Sequence, residues 1–187
     1  MKEYLEKALE VLKNGGIILY PTDTIWGIGC DAGNPEAVKR IYDLKKRDDS
    51  KSMIVLVENT NRITRHVREV PEVAWDLIEL SDKPLTVVFD RAYNLAPNLI
   101  GEDGSIGIRV CMDEFCNQLI KKLNRPIVST SANISGQASP RFYNDISNEI
   151  RVGVDHIVNL RRNETTISQP SSIIRLKNDG QITILRK

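Results

Sequence analysis

Ile17-Ile18-Leu19-Tyr20-Pro21-Thr22-Asp23-Thr24-Ile25-Trp26-Gly27-Ile28-Gly29 is the stretch on which the fold turns. Its first four residues are a short apolar run of the kind that forms a strand buried on both faces. Pro21 to Thr24 break that run with a polar turn. Hydroxyls and a carboxylate thus stand at the exit of a buried strand, where α/β proteins usually hold ligands. Gly27 and Gly29 let backbone approach either a ligand or a neighbouring strand. A tight turn capped by its own Thr and Asp side chains accounts for the same residues.

Upstream, Leu5, Ala8, Leu9 and Leu12 share one face of a helix over residues 2–14, stopped by Gly15-Gly16. Downstream, Asn34-Pro35-Glu36 opens a second helix with a capping residue, a proline at the first helical position and an early acid. Ala37, Ile41 and Leu44 keep its period as it runs into Lys45-Lys46-Arg47. Strands are expected at 53–57, 85–89 and 106–110, and helices from near Pro71 and over 115–123. Ile127-Val128 is a brief strand opening into a polar turn, Ser129-Thr130-Ser131-Ala132-Asn133. Three further strands are expected near 156–160, 172–176 and 181–185. Helices and strands alternate early and strands predominate late. The pattern predicts a single α/β domain over 1–187, a twisted mixed parallel/antiparallel sheet with flanking helices. Parallel pairing is expected only in the first half, where crossover helices are available.

The 187 residues are 41% hydrophobic and 27% charged, which suits a real core under a solvated surface. Lys and Arg number 26 against 25 Asp and Glu, so overall charge carries no nucleic-acid signal and any basic site has to be local. The start of the chain does not read as a secretory leader, and no apolar run reaches the roughly 18 to 20 residues of a membrane span. Cys30, Cys111 and Cys116 form an odd set without C-x-x-C spacing, against both a disulfide framework and a zinc knuckle. A cytoplasmic protein without membrane partners is the expectation.

Two more segments could carry chemistry. Lys45-Lys46-Arg47-Asp48-Asp49-Ser50-Lys51 puts four cations at a helix end. They complement the helix dipole there, yet Lys and Arg also neutralise and fork onto phosphate oxygens. No G-x-x-x-x-G-K-[ST] is present, so a nucleotide would not sit in a P-loop. Pro126 to Gly136 crowds hydroxyls and an amide behind a strand. Such a loop can hold a carboxylate, a carbonyl or a phosphate, or satisfy its own backbone. His66 and His156 lack Asp, Glu or Cys at ligand spacing, so no protein-built metal cage is expected. Ser131 has no G-x-S-x-G elbow, and Trp26 and Trp75 read as packing residues.

In this order the segments resemble the YrdC/TsaC family of threonylcarbamoyl-AMP synthases. The opening stretch is similar to Y-P-T-[DE]-T-x-[YW]-G-[LI]-G, and Lys45-Lys46-Arg47…Lys51 to K-x-R-x-x-x-K. Lys83-Pro84-Leu85-Thr86 matches G-P-x-T with lysine in place of glycine. Gly107-Ile108-Arg109-Val110 resembles G-[VI]-R-[VM], and Thr130 to Gly136 resembles T-S-A-N-x-S-G. Pro170-Ser171-Ser172-Ile173 and Ile184-Leu185-Arg186 resemble the closing P-S-x-I and [IL]-L-R elements. The match spans nearly the whole chain, in the short form without an added C-terminal domain. The chain departs in carrying Lys46, Asp48 and Ser52 where the family often has Gly, Pro and Pro.

The resemblance implies a YrdC-like fold with a concave basic cavity, and an ATP-dependent nucleotidyltransferase. L-threonine, bicarbonate or CO2 and ATP would give threonylcarbamoyl-AMP and pyrophosphate, for the threonylcarbamoyladenosine modification of tRNA. Mg2+ would accompany ATP. By matching motif positions, Lys45 and Arg47 would be catalytic. Lys45, Arg47 and Lys51 would hold ATP phosphates, with Arg186 closing on the nucleotide. Thr24, Arg109 and Ser131 would receive threonine, Arg109 pairing with its carboxylate. Ser105, Asn133 and Ser171 would complete the pocket around nucleotide and carbamate. The implied partners are a weak tRNA contact and a downstream tRNA threonylcarbamoyl transferase complex. The alternative is a non-catalytic RNA- or nucleotide-binding YrdC-like paralogue. The near-zero net charge and the lack of an RNP-like stretch weigh against it.

Overall fold

Leu5, Ala8 and Leu12 form the buried stripe of α1 (Lys2–Lys13) in the computed structural model, which describes residues 1–48, 53–166 and 169–187. Gly15 takes the left-handed conformation (φ 76°) just past the helix. Its N–H donates to Leu12 O at 3.1 Å and that of Gly16 to Val11 O at 2.8 Å, the paired bonds that close a helix C-terminus. The chain then enters β1 (Ile18–Tyr20) and returns through β2 (Gly27–Gly29). In α2 (Pro35–Lys45), Asn34 Oδ1 accepts the N–H groups of Glu36 and Ala37, each at 3.1 Å. That cap contributes about 1 kcal/mol.

There follow β3 (Ile54–Val57), a 3₁₀ turn at Thr60–Arg65, α3 (Val73–Glu79), β4 (Leu85–Phe89) and β5 (Ile106–Val110). Next come α4 (Glu114–Leu123), β6 (Ile127–Ser131), α5 (Asn148–Gly153), β7 (His156–Ile157), β8 (Ser172–Leu176) and β9 (Ile182–Arg186). The strands make one mixed sheet in the order β7-β1-β2-β6-β3-β5-β4-β8-β9. The α/β domain with a mixed sheet and flanking helices is as the sequence predicts.

Parallel pairing, however, is not confined to the first half. β7 lies parallel to β1 and β8 parallel to β4, besides the β3–β5 pair. Strands from the tail reach those positions by long connections, which sequence alternation does not register. β6 also runs further than expected. Thr130 and Ser131 pair with Ile28 and Gly27, and Ser129 with Ile54, so residues read as a turn are ladder members. The sequence marks no strand at β2, only two glycines that let backbone approach a ligand or a neighbouring strand, and strands flank it on both sides. A Cβ on Gly29 would meet Val128 O at 2.4 Å, so its missing side chain is what lets these strands approach.

Alternation along the central strands places core on both faces. Ile17 and Leu19 join one cluster and Ile18 and Tyr20 the other; Val55 and Val57 likewise oppose Leu56. α1 and α4 cover one face with Leu5, Leu12, Phe115, Leu119 and Ile120, each side chain contributing about 1.5–3 kcal/mol on burial. Ala37, Val38 and Ile41 of α2 cover the other. Among the described residues, no helix is long and apolar enough to cross a membrane.

Candidate functional site

Arg109 and Arg186 come from distant parts of the sequence but share one transverse row of the sheet. Leu56 pairs with Arg109, Arg109 with Thr86, Thr86 with Ile173 and Ile173 with Arg186. Three strand spacings separate the two arginines, about 14 Å, and their long arms close that gap. They line one cavity of about 190 Å³ with Arg47, which projects from the end of α2. Hydroxyls of Thr24, Ser129, Thr130, Ser131, Ser139 and Ser171 supply much of the wall, and Trp26, Met53, Ile54 and Ile173 the apolar part.

Each wall is held from behind. In the β1–β2 loop, Thr22 Oγ1 accepts from Thr24 N at 3.0 Å and donates to Ile25 O at 2.9 Å. The self-capped turn is therefore present, and it fixes Thr24 Oγ1 to accept from Arg109 Nη1 at 3.0 Å. Arg109 is buried, and its Nη2 lies 3.0 Å from Asp23 Oδ1 as a charge contact without hydrogen-bond alignment. Its Nε is buried with no partner. A buried guanidinium N–H without an acceptor is costly, and a ligand oxygen would remove that cost. Across the cavity, Arg186 donates through Nε and Nη2 to Ser171 O at 2.9 and 2.7 Å. Ser171 Oγ in turn contacts Thr86 Oγ1 at 2.8 Å. Burial, and then the nearby positive charge of Arg109, lower the pKa of Arg186, while burial lowers that of Arg47. Cations gathered out of water and near one another favour an anion between them.

Six residues singled out in the sequence therefore meet: Thr24, Arg47, Arg109, Ser131, Ser171 and Arg186. Lys45 does not line the cavity. It is buried behind the wall, where its ammonium donates to the carbonyls of Ser131 and Asn133. Burial, and to a lesser extent Arg47, push its pKa down to about 8. Asn133 does not line the cavity either: its amide donates to Ile134 O at 3.0 Å and Gln137 O at 2.8 Å, while its Oδ1 is buried with no partner. Ser105 is not brought in at all. It immediately precedes β5 while Arg109 stands near that strand's other end, about 13 Å along an extended chain. There its N–H donates to Asp103 Oδ1, whose carboxylate also pairs with Arg175. Lys51 and Ser52 lie outside the described residues.

The sequence marks the Asp23 carboxylate at the exit of a buried strand but assigns it no role; in the structure it stands beside Arg109. Ser139 was missed, and it has no local signal, since only tertiary folding carries it to the wall. Among the described residues, no group of three or more His, Cys, Asp or Glu could hold a metal. Among the described residues Asp23 is the carboxylate nearest Arg109, with which it is paired.

A basic, hydroxyl-lined cavity walled by strands of a mixed sheet defines an α/β protein with a candidate anion site. The chain belongs to the Sua5/YciO/YrdC family, whose model, described as "Telomere recombination", matches residues 10–187. It is 33% identical over 171 residues to the threonylcarbamoyl-AMP synthase of Hahella chejuensis, covering 91% of this chain and 92% of that one. The structure of a double alanine variant of P. abyssi Sua5 superposes with a TM-score of 0.87 at 26% identity, over 97% of this chain. P. abyssi Sua5 complexed with L-threonine gives 0.81 at 26% identity over 92% of this chain. This chain spans 55% and 50% of those two Sua5 chains. Family membership supports a catalytic, nucleotide-using role at the level of the family.

Proposed function

We propose that this protein is an L-threonylcarbamoyladenylate synthase, and that Arg47, Arg109 and Arg186 gather its two anionic substrates in one cavity. The observation that carries the reading is the convergence of these three guanidiniums on a hydroxyl-lined wall, with Arg109 Nε buried and unpartnered. A relative of similar length bears the name threonylcarbamoyl-AMP synthase, and a solved relative holds L-threonine.

On this reading the carboxylate of L-threonine binds Arg109, beside the hydroxyls of Thr24 and Ser131. The threonine amine condenses with bicarbonate, losing water, to form a carbamate. A carbamate oxygen attacks the α-phosphorus of ATP, the bond to the bridging oxygen breaks, and pyrophosphate leaves with that electron pair. Arg47 and Arg186 bind phosphate oxygens and offset the charge that grows on the leaving group. Ser171, which accepts from Arg186, orients it. Lys45 acts through the wall as a positioning residue, holding the Ser131 and Asn133 carbonyls. Lys51 and Asn133 retain the nucleotide-binding role that their motif positions imply, and Ser105 is set aside. Mg2+ enters as part of the substrate, on the phosphates of ATP. No covalent enzyme intermediate is required, so catalysis rests on positioning and charge.

A cavity volume of about 190 Å³ is below the roughly 300 Å³ at which sites begin to engulf larger ligands. It suits the amino acid and the reacting phosphates, with the nucleoside extending over the lip. The product would pass to a tRNA threonylcarbamoyl transferase complex.

Pyrophosphate release by the purified protein, with each substrate omitted in turn, tests the proposal. Release is expected only when ATP, L-threonine and bicarbonate are all present. Turnover without threonine, or none with the full set, would overturn it.

A further inference from the structure

A second cavity, about 300 Å³, lies at the opposite ends of β3 and β6 from the first. Its walls are the Thr60–Arg65 turn, the segment around Asn94 and the Asn124–Pro126 connection. Arg62, Arg65 and Arg125 line it, and no carboxylate is among the lining residues.

These cations are held to different degrees. Arg62 is fixed, its Nε donating to Glu58 Oε1 at 2.6 Å and its Nη2 to Asn124 Oδ1 at 2.7 Å. Arg125 reaches Asp31 only at 3.5 Å and keeps most of its side chain exposed. Its guanidinium occupies space left by Gly33, where a Cβ would come within 2.7 Å of Nη1. Among the described residues Arg65 has no side-chain hydrogen bond or ion pair. Glu58 and Asp31 thus offset two of the three charges and leave that of Arg65. His66 lines the same cavity at 5% exposure; its buried Nδ1 has no well-aligned hydrogen bond, although the Asn94 and Tyr93 carbonyls lie close to the ring.

We propose that this cavity binds a phosphate group, either orthophosphate or a terminal phosphomonoester. Arg65 and Arg125 are placed to take its charge and His66 to take one of its oxygens. A terminal group fits better than a backbone diester, because His66 is sunk too deep for a phosphate flanked on both sides. The inference does not depend on the reaction proposed for the first cavity.

Protonation of His66 belongs to the same event. Burial lowers its pKa, opposed by the backbone carbonyls of Asn94 and Tyr93 and reinforced by Arg62 and Arg65. Arg125 faces it from the connection ahead of β6. An anion among these groups offsets the repulsion and favours the imidazolium, whose two N–H groups both donate. Binding therefore raises the pKa of His66.

The chain has two histidines, so their ring signals are readily separated by NMR with a His66→Gln variant for assignment. Inorganic phosphate and AMP serve as probes, against sodium chloride at matched ionic strength. The expected result is a saturable shift and a raised pKa at His66, with His156 unmoved. Arg65→Ala should weaken that binding about tenfold or more while leaving pyrophosphate release unchanged. Arg47→Ala should leave the His66 response intact. Tighter binding of phosphate marks a free anion as the natural ligand, and tighter binding of AMP a phosphomonoester. A linear response, an equal one at both histidines, binding unaltered by Arg65→Ala, or a response lost with Arg47→Ala would each overturn the proposal.

Discussion

Arg47 and Arg109 line the same cavity from different elements, the end of α2 and β5. Arg109 is clasped by Thr24 and Asp23, whereas Arg47 projects from the end of α2. Arg47→Ala is expected to weaken ATP binding by about 1.5–3 kcal/mol, as for a lost charge-assisted contact. Arg109→Ala should chiefly raise the threonine concentration needed for turnover. Calorimetric titration with ATP and steady-state kinetics in threonine check both. If Arg109→Ala altered only ATP affinity, the division of the cavity would be wrong. Both arginines were legible because each sits in a short pattern whose neighbours are also constrained. The contact between Asp23 and Arg109 was not legible, since nothing local says which carboxylate folds onto a strand 86 positions away. Lys45 shows the limit from the other side. Its place in a cationic run suggests a phosphate, but the fold buries its ammonium against two carbonyls.

At the scale of elements, the end of α2 is where this chain departs from the family pattern, and the structure gives the departure a physical meaning. Lys46 adopts the left-handed conformation, φ 49° and ψ 42°, which glycine takes without a Cβ clash. The N–H groups of Lys46 and Arg47 donate to Asp43 O and Tyr42 O at 3.1 and 3.0 Å, the paired closure seen also after α1. The Lys46 ammonium pairs with Glu149 at 2.8 Å, but both side chains are more than half exposed, so the return is small. Lys46→Gly should therefore raise stability by about 0.5–1 kcal/mol in urea or thermal unfolding. A loss of stability would mean that the bridge to α5 outweighs the backbone strain. α5 itself escaped sequence reading because six residues, Asn148 to Gly153, are too few to show an amphipathic period. Its signal was Ser147, whose Oγ accepts from Ile150 N at 3.4 Å. The polar half of β6 was read as turn because Ser and Thr favour turns; ladder pairing to β2 and β3 overrides that preference.

At the scale of the whole molecule, the first cavity exists only because segments from both termini converge. The loop after β1, the end of α2, the C-terminal end of β5, the polar half of β6 and the β8–β9 edge each supply a wall. The mixed α/β sheet was legible from alternating elements, but the parallel partners of β7 and β8 were not, since long connections leave no periodic trace. Membership of the Sua5/YciO/YrdC family fits this architecture. The central claim is that one cavity brings an amino-acid carboxylate and ATP phosphates together between its arginines. A crystal structure with L-threonine and a non-hydrolysable ATP analogue measures this directly. The account predicts the threonine carboxylate on Arg109 and the phosphates on Arg47 and Arg186, with the amine facing the α-phosphorus. Ligands bound elsewhere, or a threonine remote from the phosphates, would contradict it.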